Sequence, residues 1–154
     1  MNKKNGVKAL TIIHKAMLLG QLIFGTICFY LVYTKAVSIN PLDELDKVLQ
    51  VIAIILSVAG YLIGNVLFKK KLIIAKNLNT GATEKFALYQ AASILQWALI
   101  EGPSLFSIIC FFLTNNYAFL ALAAALVLLF TMMVPSKTKI AFQLAISEDE
   151  LGAL

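Results

Sequence analysis

Four apolar stretches, near residues 10–33, 48–68, 86–113 and 117–134, dominate the chain. About 20 helical residues, at 1.5 Å each, cross the roughly 30 Å hydrocarbon core of a bilayer. Backbone amides there must be satisfied within each segment, so the stretches are expected to be helices. The last is short for a crossing and either runs past Pro135 or starts before Asn115. With 60% hydrophobic and 14% charged residues in 154, the polar side chains cannot coat a soluble domain, and the same composition excludes disorder. Only Cys28 and Cys110 are available for cross-linking, both inside apolar runs, which excludes a disulfide-stapled secreted fold. The expectation is an all-α chain: a single four-helix transmembrane domain with the lipid bilayer as its first partner.

All thirteen basic residues are lysine, and their placement orients the spans. Lys3, Lys4, Lys8 and Lys15 precede or open the first span, Lys69, Lys70, Lys71, Lys76 and Lys85 lie between the second and third, and Lys137 and Lys139 follow the fourth. Only Lys35 and Lys47 fall on the other side, so both termini are expected in the cytoplasm. A cleaved signal peptide ending near Ala36-Val37-Ser38 fits less well, because the apolar segment is too long for its h-region. Thr114-Asn115-Asn116 reads as a tight turn that makes spans three and four an antiparallel hairpin.

Residues 9–31 laid over 91–113, an offset of 82, are identical at nine of twenty-three positions, including Ala16/Ala98, Gly20/Gly102, Phe24/Phe106, Cys28/Cys110 and Phe29/Phe111. Such a match suggests duplication. The domain would then be two helical hairpins in the same orientation, 9–78 and 83–146, related by an axis along the membrane normal. Small residues at helical spacing, Ala16 with Gly20, Gly60 with Gly64 and Ala98 with Gly102, are expected to let helices approach closely. In the first loop, Asn40-Pro41-Leu42-Asp43-Glu44 reads as a helix start, with Asn40 as N-cap and acids in the first turn. Asp43, Glu44 and Asp46 are expected in that solvated turn, or as a gathering point for external cations. The second helix should run from near residue 41, past the lysines, to Asn79-Thr80-Gly81.

Glu101 stands out, near the centre of span three. A central charge costs roughly 2.5–3.5 kcal/mol on insertion scales, which a dozen Leu, Ile and Phe at about 0.3–0.6 kcal/mol each offset. Pro103 cannot donate to the carbonyl of Leu99, and with Gly102 it is expected to kink the helix and free a backbone acceptor. Gln90, Ser93, Trp97, Glu101 and Ser104 follow one another at spacings of three and four, a polar face turned from lipid. Gln21 should lie at similar depth and is the preferred hydrogen-bond partner of Glu101, with Ser57 and Asn65 as alternatives. Two readings stay open: Glu101 binds a proton, a cation or a polar substrate between the hairpins, or it is a neutral structural acid bonded to Gln21 or a serine.

His14, the only histidine, is expected at the membrane interface beside Lys15, and with no ligands near it no metal is expected. Cys28 and Cys110 read as small buried hydrophobes that could approach across the pseudo-twofold axis, and Trp97 as packing and interfacial anchoring. No phosphate loop, nucleophile elbow or paired ligand spacing is present, so neither an enzyme nor a cofactor is expected. The basic patch suits anionic lipid rather than nucleic acid. Ser147-Glu148-Asp149-Glu150 has the form of a capping box with little chain left after it.

Two same-orientation hairpins with Glu101-Gly102-Pro103 in the membrane resemble a duplicated rotary-ATPase proteolipid in outline. The chain departs from that family because its acid is on the first helix of a hairpin and because residues 9–33 carry only Gly20 and Gly25. The stretch Ala98 to Asn116, with its phenylalanine-rich end and Thr-Asn-Asn, is similar to small uncharacterised four-helix bacterial membrane proteins, a resemblance that implies an inner-membrane location. Two functions follow: a proton- or cation-coupled transport or channel module using Glu101, or an accessory subunit whose helix faces dock a larger membrane complex. Four short helices leave little protein around a polar site, so a homo-oligomer or larger complex is expected.

Overall fold

A computed structural model describes residues 6–36 and 43–152. These form six helices: α1 (Gly6–Tyr33), α2 (Asp43–Asn77), α3 (Ala82–Thr114), α4 (Tyr117–Thr131), α5 (Lys137–Leu144) and α6 (Glu148–Gly152). Three of them, α1, α2 and α3, are long and apolar enough to cross a membrane. At 15 residues, α4 spans about 22 Å and falls short of the hydrocarbon thickness by itself. It stops at Thr131, before Pro135, so the expected extension past the proline does not occur. Asn40 to Leu42, the expected start of α2, lie outside the described residues; α2 then runs unbroken past its lysines to Asn77.

The architecture is organised around α3. Within their most apolar stretches 44% of α3 is buried, against 11% of α1 and 17% of α2. α2 packs along it most extensively, then α4, then α1, while α1 and α2 do not pack along each other among the described residues. The pairs Gly64–Gln96, Gly60–Leu99 and Phe68–Tyr89 make α2 antiparallel to α3. Trp97 near Phe130 and Phe111 near Tyr117 do the same for α4. α1 runs parallel to α3: His14 meets Trp97 and Gly25 meets Ile108, each pair 83 positions apart (14 to 97, 25 to 108). Phe29 stacks with Phe111, 82 positions away.

The closest backbone approach follows from the proline. α3 continues as one helix through Gly102 and Pro103, and Pro103 has no N–H for the Leu99 carbonyl. Gly60 of α2 is buried directly against that carbonyl, where an added Cβ would collide with the oxygen and stand 3.2 Å from Pro103 Cγ. Gly64, one turn on, has room for ordinary contact, with Gln96 at 3.5 Å.

The other small residues face outward. Ala16, Gly20, Ala98 and Gly102 are exposed, and nothing lies within 4 Å of a Cβ built on Gly20 or Gly102. Spacing marks a stripe without saying which side of the helix it occupies, so these positions do not pack helices together within the chain. The exposed stripe of α3 lies between its α1-facing and α2-facing sides, where those two helices stay apart.

Local chemistry closes both ends. Asn115 terminates α3 in the left-handed region (φ 57°), a conformation asparagine tolerates. Asn116 caps α4 by accepting from the Ala118 N–H, and its amide donates to Asp46 Oδ2 at 2.8 Å, tying the turn to the start of α2. Asp46 is thus a tether for the turn rather than a merely solvated acid. At the lysine-rich end α5 folds back onto α2 and α3. Ser147 and Glu150 form both bonds of the capping box, each 3.1 Å, and the short α6 buries Leu151 in the core.

Gly60→Ala is expected to cost about 1–3 kcal/mol through overpacking, read as a lower midpoint in thermal unfolding of the detergent-solubilised protein. Gly20→Ala, in open space, leaves that midpoint unchanged or slightly raises it.

Candidate functional site

Most hydroxyls in the apolar segments bond to their own helix. Ser57 donates to the Ala53 carbonyl at 2.7 Å, Ser107 to Pro103 at 2.8 Å and Thr114 to Cys110 at 2.8 Å. This i to i−4 bonding leaves them little to offer a ligand. Asn65 uses its side-chain oxygen, accepting from Gln96 Nε2 at 2.7 Å across the α2–α3 seam. Neither Ser57 nor Asn65 bonds to Glu101.

The seam among α1, α3 and α4 is different. His14 is fully buried, stacked on Phe130 and edge-on to Trp97, with Nε2 3.0 Å from the Phe130 carbonyl. Its ring faces the protein interior rather than lying exposed beside Lys15, and Trp97 is likewise buried as a packing residue. The reason is the shortness of α4: its last carbonyls fall inside the fold, and His14 supplies a donor at that depth. This contact holds the Thr131 end of α4 to α1.

Two turns along α1 the register brings Gln21 to the level of Ser104. Gln21 is 1% exposed, and neither its amide nitrogen nor its amide oxygen has a hydrogen-bond partner. Ser104 is buried too, with an unpartnered Oγ. Each such group costs about 1–3 kcal/mol relative to a satisfied one. Gln21 also lines a cavity of about 430 Å³ between α1 and α4, whose other walls include Gly25, Ile108, Ala123 and Leu128. Beyond the His14 contact the two helices pack on α3 more than on each other, and the cavity occupies the resulting gap.

Glu101 is half-buried on the side of α3 that looks toward α1. Along that side Leu105, Ile108 and Phe112 pack with Phe24 and Cys28. None of the side-chain hydrogen bonds among the described residues involves Glu101, so the expected bond to Gln21 is not formed. The carboxyl lies about one helical turn from the Gln21–Ser104 level, set by Gly102 and Pro103 on the same uninterrupted helix. Cys28 packs with Ile108 and Ala123, Cys110 with Ala53 and Phe119; both are free and lie in separate clusters. No three His, Cys, Asp or Glu side chains cluster among the described residues.

A second polar locality, unforeseen in the sequence, lies at the lysine-rich end. There Asn65, Ser93 and Gln96 share a cavity of about 350 Å³ with Lys69 of α2 and with Lys139 and Gln143 of α5. It exists because α5 folds back, which hydropathy does not encode.

Compared with known proteins, the chain matches no family, no curated protein and no solved structure, so its reading rests on its own residues.

Replacing Gln21 by Met fills the same space without unpaired polar atoms. Gln21→Met is expected to raise unfolding stability by about 1–3 kcal/mol, measured by thermal or denaturant unfolding in detergent; a loss of stability would mean that the amide is satisfied in the folded protein.

Proposed function

We propose that the chain is a multi-pass protein of a bacterial inner membrane, with cytoplasmic termini and lysine-rich span ends, and that it carries a proton or cation through an intramembrane site formed by Glu101, Gln21 and Ser104. In this reading α4 with its link to α5 is the fourth crossing, completing a bundle of two same-orientation hairpins. The parallel register of α1 and α3, 82–83 positions, supports that arrangement because it lies within one residue of the repeat offset.

One observation carries the functional reading. Gln21 is fully buried beside a cavity with both amide atoms unpartnered, at the level of Ser104 and one turn from an unpartnered carboxyl. A purely structural glutamic acid would be expected to take Gln21 as its partner, and it does not. Polar groups kept unpaired in an apolar seam are what a site for an exchanging ion or polar substrate requires. Such capacity comes at the expense of stability.

A second reading, an accessory subunit in a homo-oligomer or larger complex, is supported by the outward stripe of Ala98 and Gly102 on α3 with Ala16 and Gly20 on α1. Small residues facing outward admit a neighbouring helix.

The two readings separate in proteoliposomes loaded with a pH-sensitive dye under an imposed cation gradient. The transport reading predicts flux by the protein alone, reduced at least about tenfold by Glu101→Gln, with unchanged helicity and elution volume. Flux unaffected by Glu101→Gln contradicts it. An absence of wild-type flux, with complex formation lost on Gly102→Leu, supports the accessory role.

A further inference from the structure

We infer that the cavity between α2, α3 and α5 is a binding site for a phosphate ester bearing hydroxyl groups, of the size and chemistry of a glycerol-phosphate headgroup. The inference is independent of Glu101.

Its walls come from three helices distant in sequence: Asn65 and Lys69 from α2, Ser93 and Gln96 from α3, Lys139 and Gln143 from α5. Among the described residues no acid lines it, and its formal charge there is that of Lys69 and Lys139, both exposed. Two ammonium groups on flexible stems hold a phosphate as point charges, and no planar guanidinium is available in a chain that has no arginine. The rest of the lining is uncharged and largely apolar, with Phe68, Leu72, Trp97 and Met133 among its walls and a few polar groups set into it. Gln96 gives its amide nitrogen to Asn65 Oδ1 at 2.7 Å, which fixes the orientation of Asn65 and leaves the Asn65 amide nitrogen free to donate. Gln143 lines both this cavity and the adjoining one beside Ala141 and Phe142, and its side-chain oxygen is a buried acceptor with no hydrogen-bond partner. An acceptor among neutral groups calls for a hydroxyl, and the lysines call for an anion. A phosphate ester of a small polyol offers both in one molecule, and about 350 Å³ is enough for its headgroup.

Two sources could supply this chemistry: an anionic phospholipid entering from the membrane surface, or a free polyol phosphate from the aqueous phase. General attraction of a lysine-rich surface to anionic lipid is the competing explanation. It treats all lysines at that end alike, whereas the cavity distinguishes Lys69 and Lys139 from Lys70 and Lys137, which do not line it.

The full-length protein would be released from nanodiscs containing equal phosphatidylglycerol and phosphatidylcholine and its retained lipids counted by native mass spectrometry. Wild type is expected to keep one phosphatidylglycerol per chain. Lys69→Gln with Lys139→Gln should lower its occupancy at least about fivefold, while Lys70→Gln with Lys137→Gln, equal in charge, should not. Gln143→Leu, which removes the acceptor and leaves the charge, should favour a headgroup lacking hydroxyls over phosphatidylglycerol. Thermal stabilisation of lipid-depleted protein by glycerol 3-phosphate but not by inorganic sulfate, lost in the same double variant, would assign the site to the free ester. Equal losses in both lysine pairs, or no preference over phosphatidylcholine together with no stabilisation by glycerol 3-phosphate, would overturn the inference.

Discussion

The contact between Gly60 and the Leu99 carbonyl sets the rest of the structure. A proline inside a membrane helix frees a carbonyl that has no water to turn to. Here the freed group lies at the point where α2 comes closest, and only a glycine lets the backbone of α2 reach it. That approach fixes α2 lengthwise along α3, sets the antiparallel register through Gln96 and Tyr89, and leaves α1 and α4 to share the remaining sides of α3. The same proline therefore positions Glu101, two residues earlier, and Ser104, one residue later.

From this arrangement the gap between α1 and α4 follows. Both helices lean on α3, and they are drawn together where His14 takes the Phe130 carbonyl. Towards the Asn115 end they flank an open groove with the unpartnered Gln21 in its wall. Neighbouring hydroxyls that bond back to their own helices show that the fold has an inexpensive way to silence polar groups. Gln21 and Ser104 are not silenced in this way. That contrast, more than the presence of an acid in an apolar span, supports the site proposed there.

The long apolar helices were legible because hydropathy and length are properties of the chain itself. So was the capping box at Ser147 and Glu150, a purely local device. What depends on rotation about a helix axis was not. Ala16, Gly20 and Ala98 have the same spacing as Gly60 and Gly64, yet only the glycines of α2 face a neighbour. His14 reads as interfacial from its place near the start of α1, and the signal that could have found its role was the length of α4. A 15-residue helix must end inside, and its end requires a donor at that depth. Of the polar residues singled out, Ser57 and Asn65 have partners within α2 and across to Gln96, which no spacing rule reveals. The cavity at the lysine-rich end depends on α5 folding back, a tertiary event without a periodic signature.

In the proposed function Glu101 is a carboxyl without a hydrogen-bond partner that exchanges with a mobile ion rather than a sealed element of packing. Reaction of the nanodisc-held protein with a hydrophobic carbodiimide, read residue by residue by mass spectrometry with and without added cations, tests it most directly. Glu101 is expected to be modified in preference to Glu84 and Glu148, which are exposed, and to be protected by a transported cation. Absence of modification at Glu101 under conditions that label a control intramembrane carboxyl, in both the wild type and Gln21→Met, would mean that the carboxyl is sealed and exchanges with no ion.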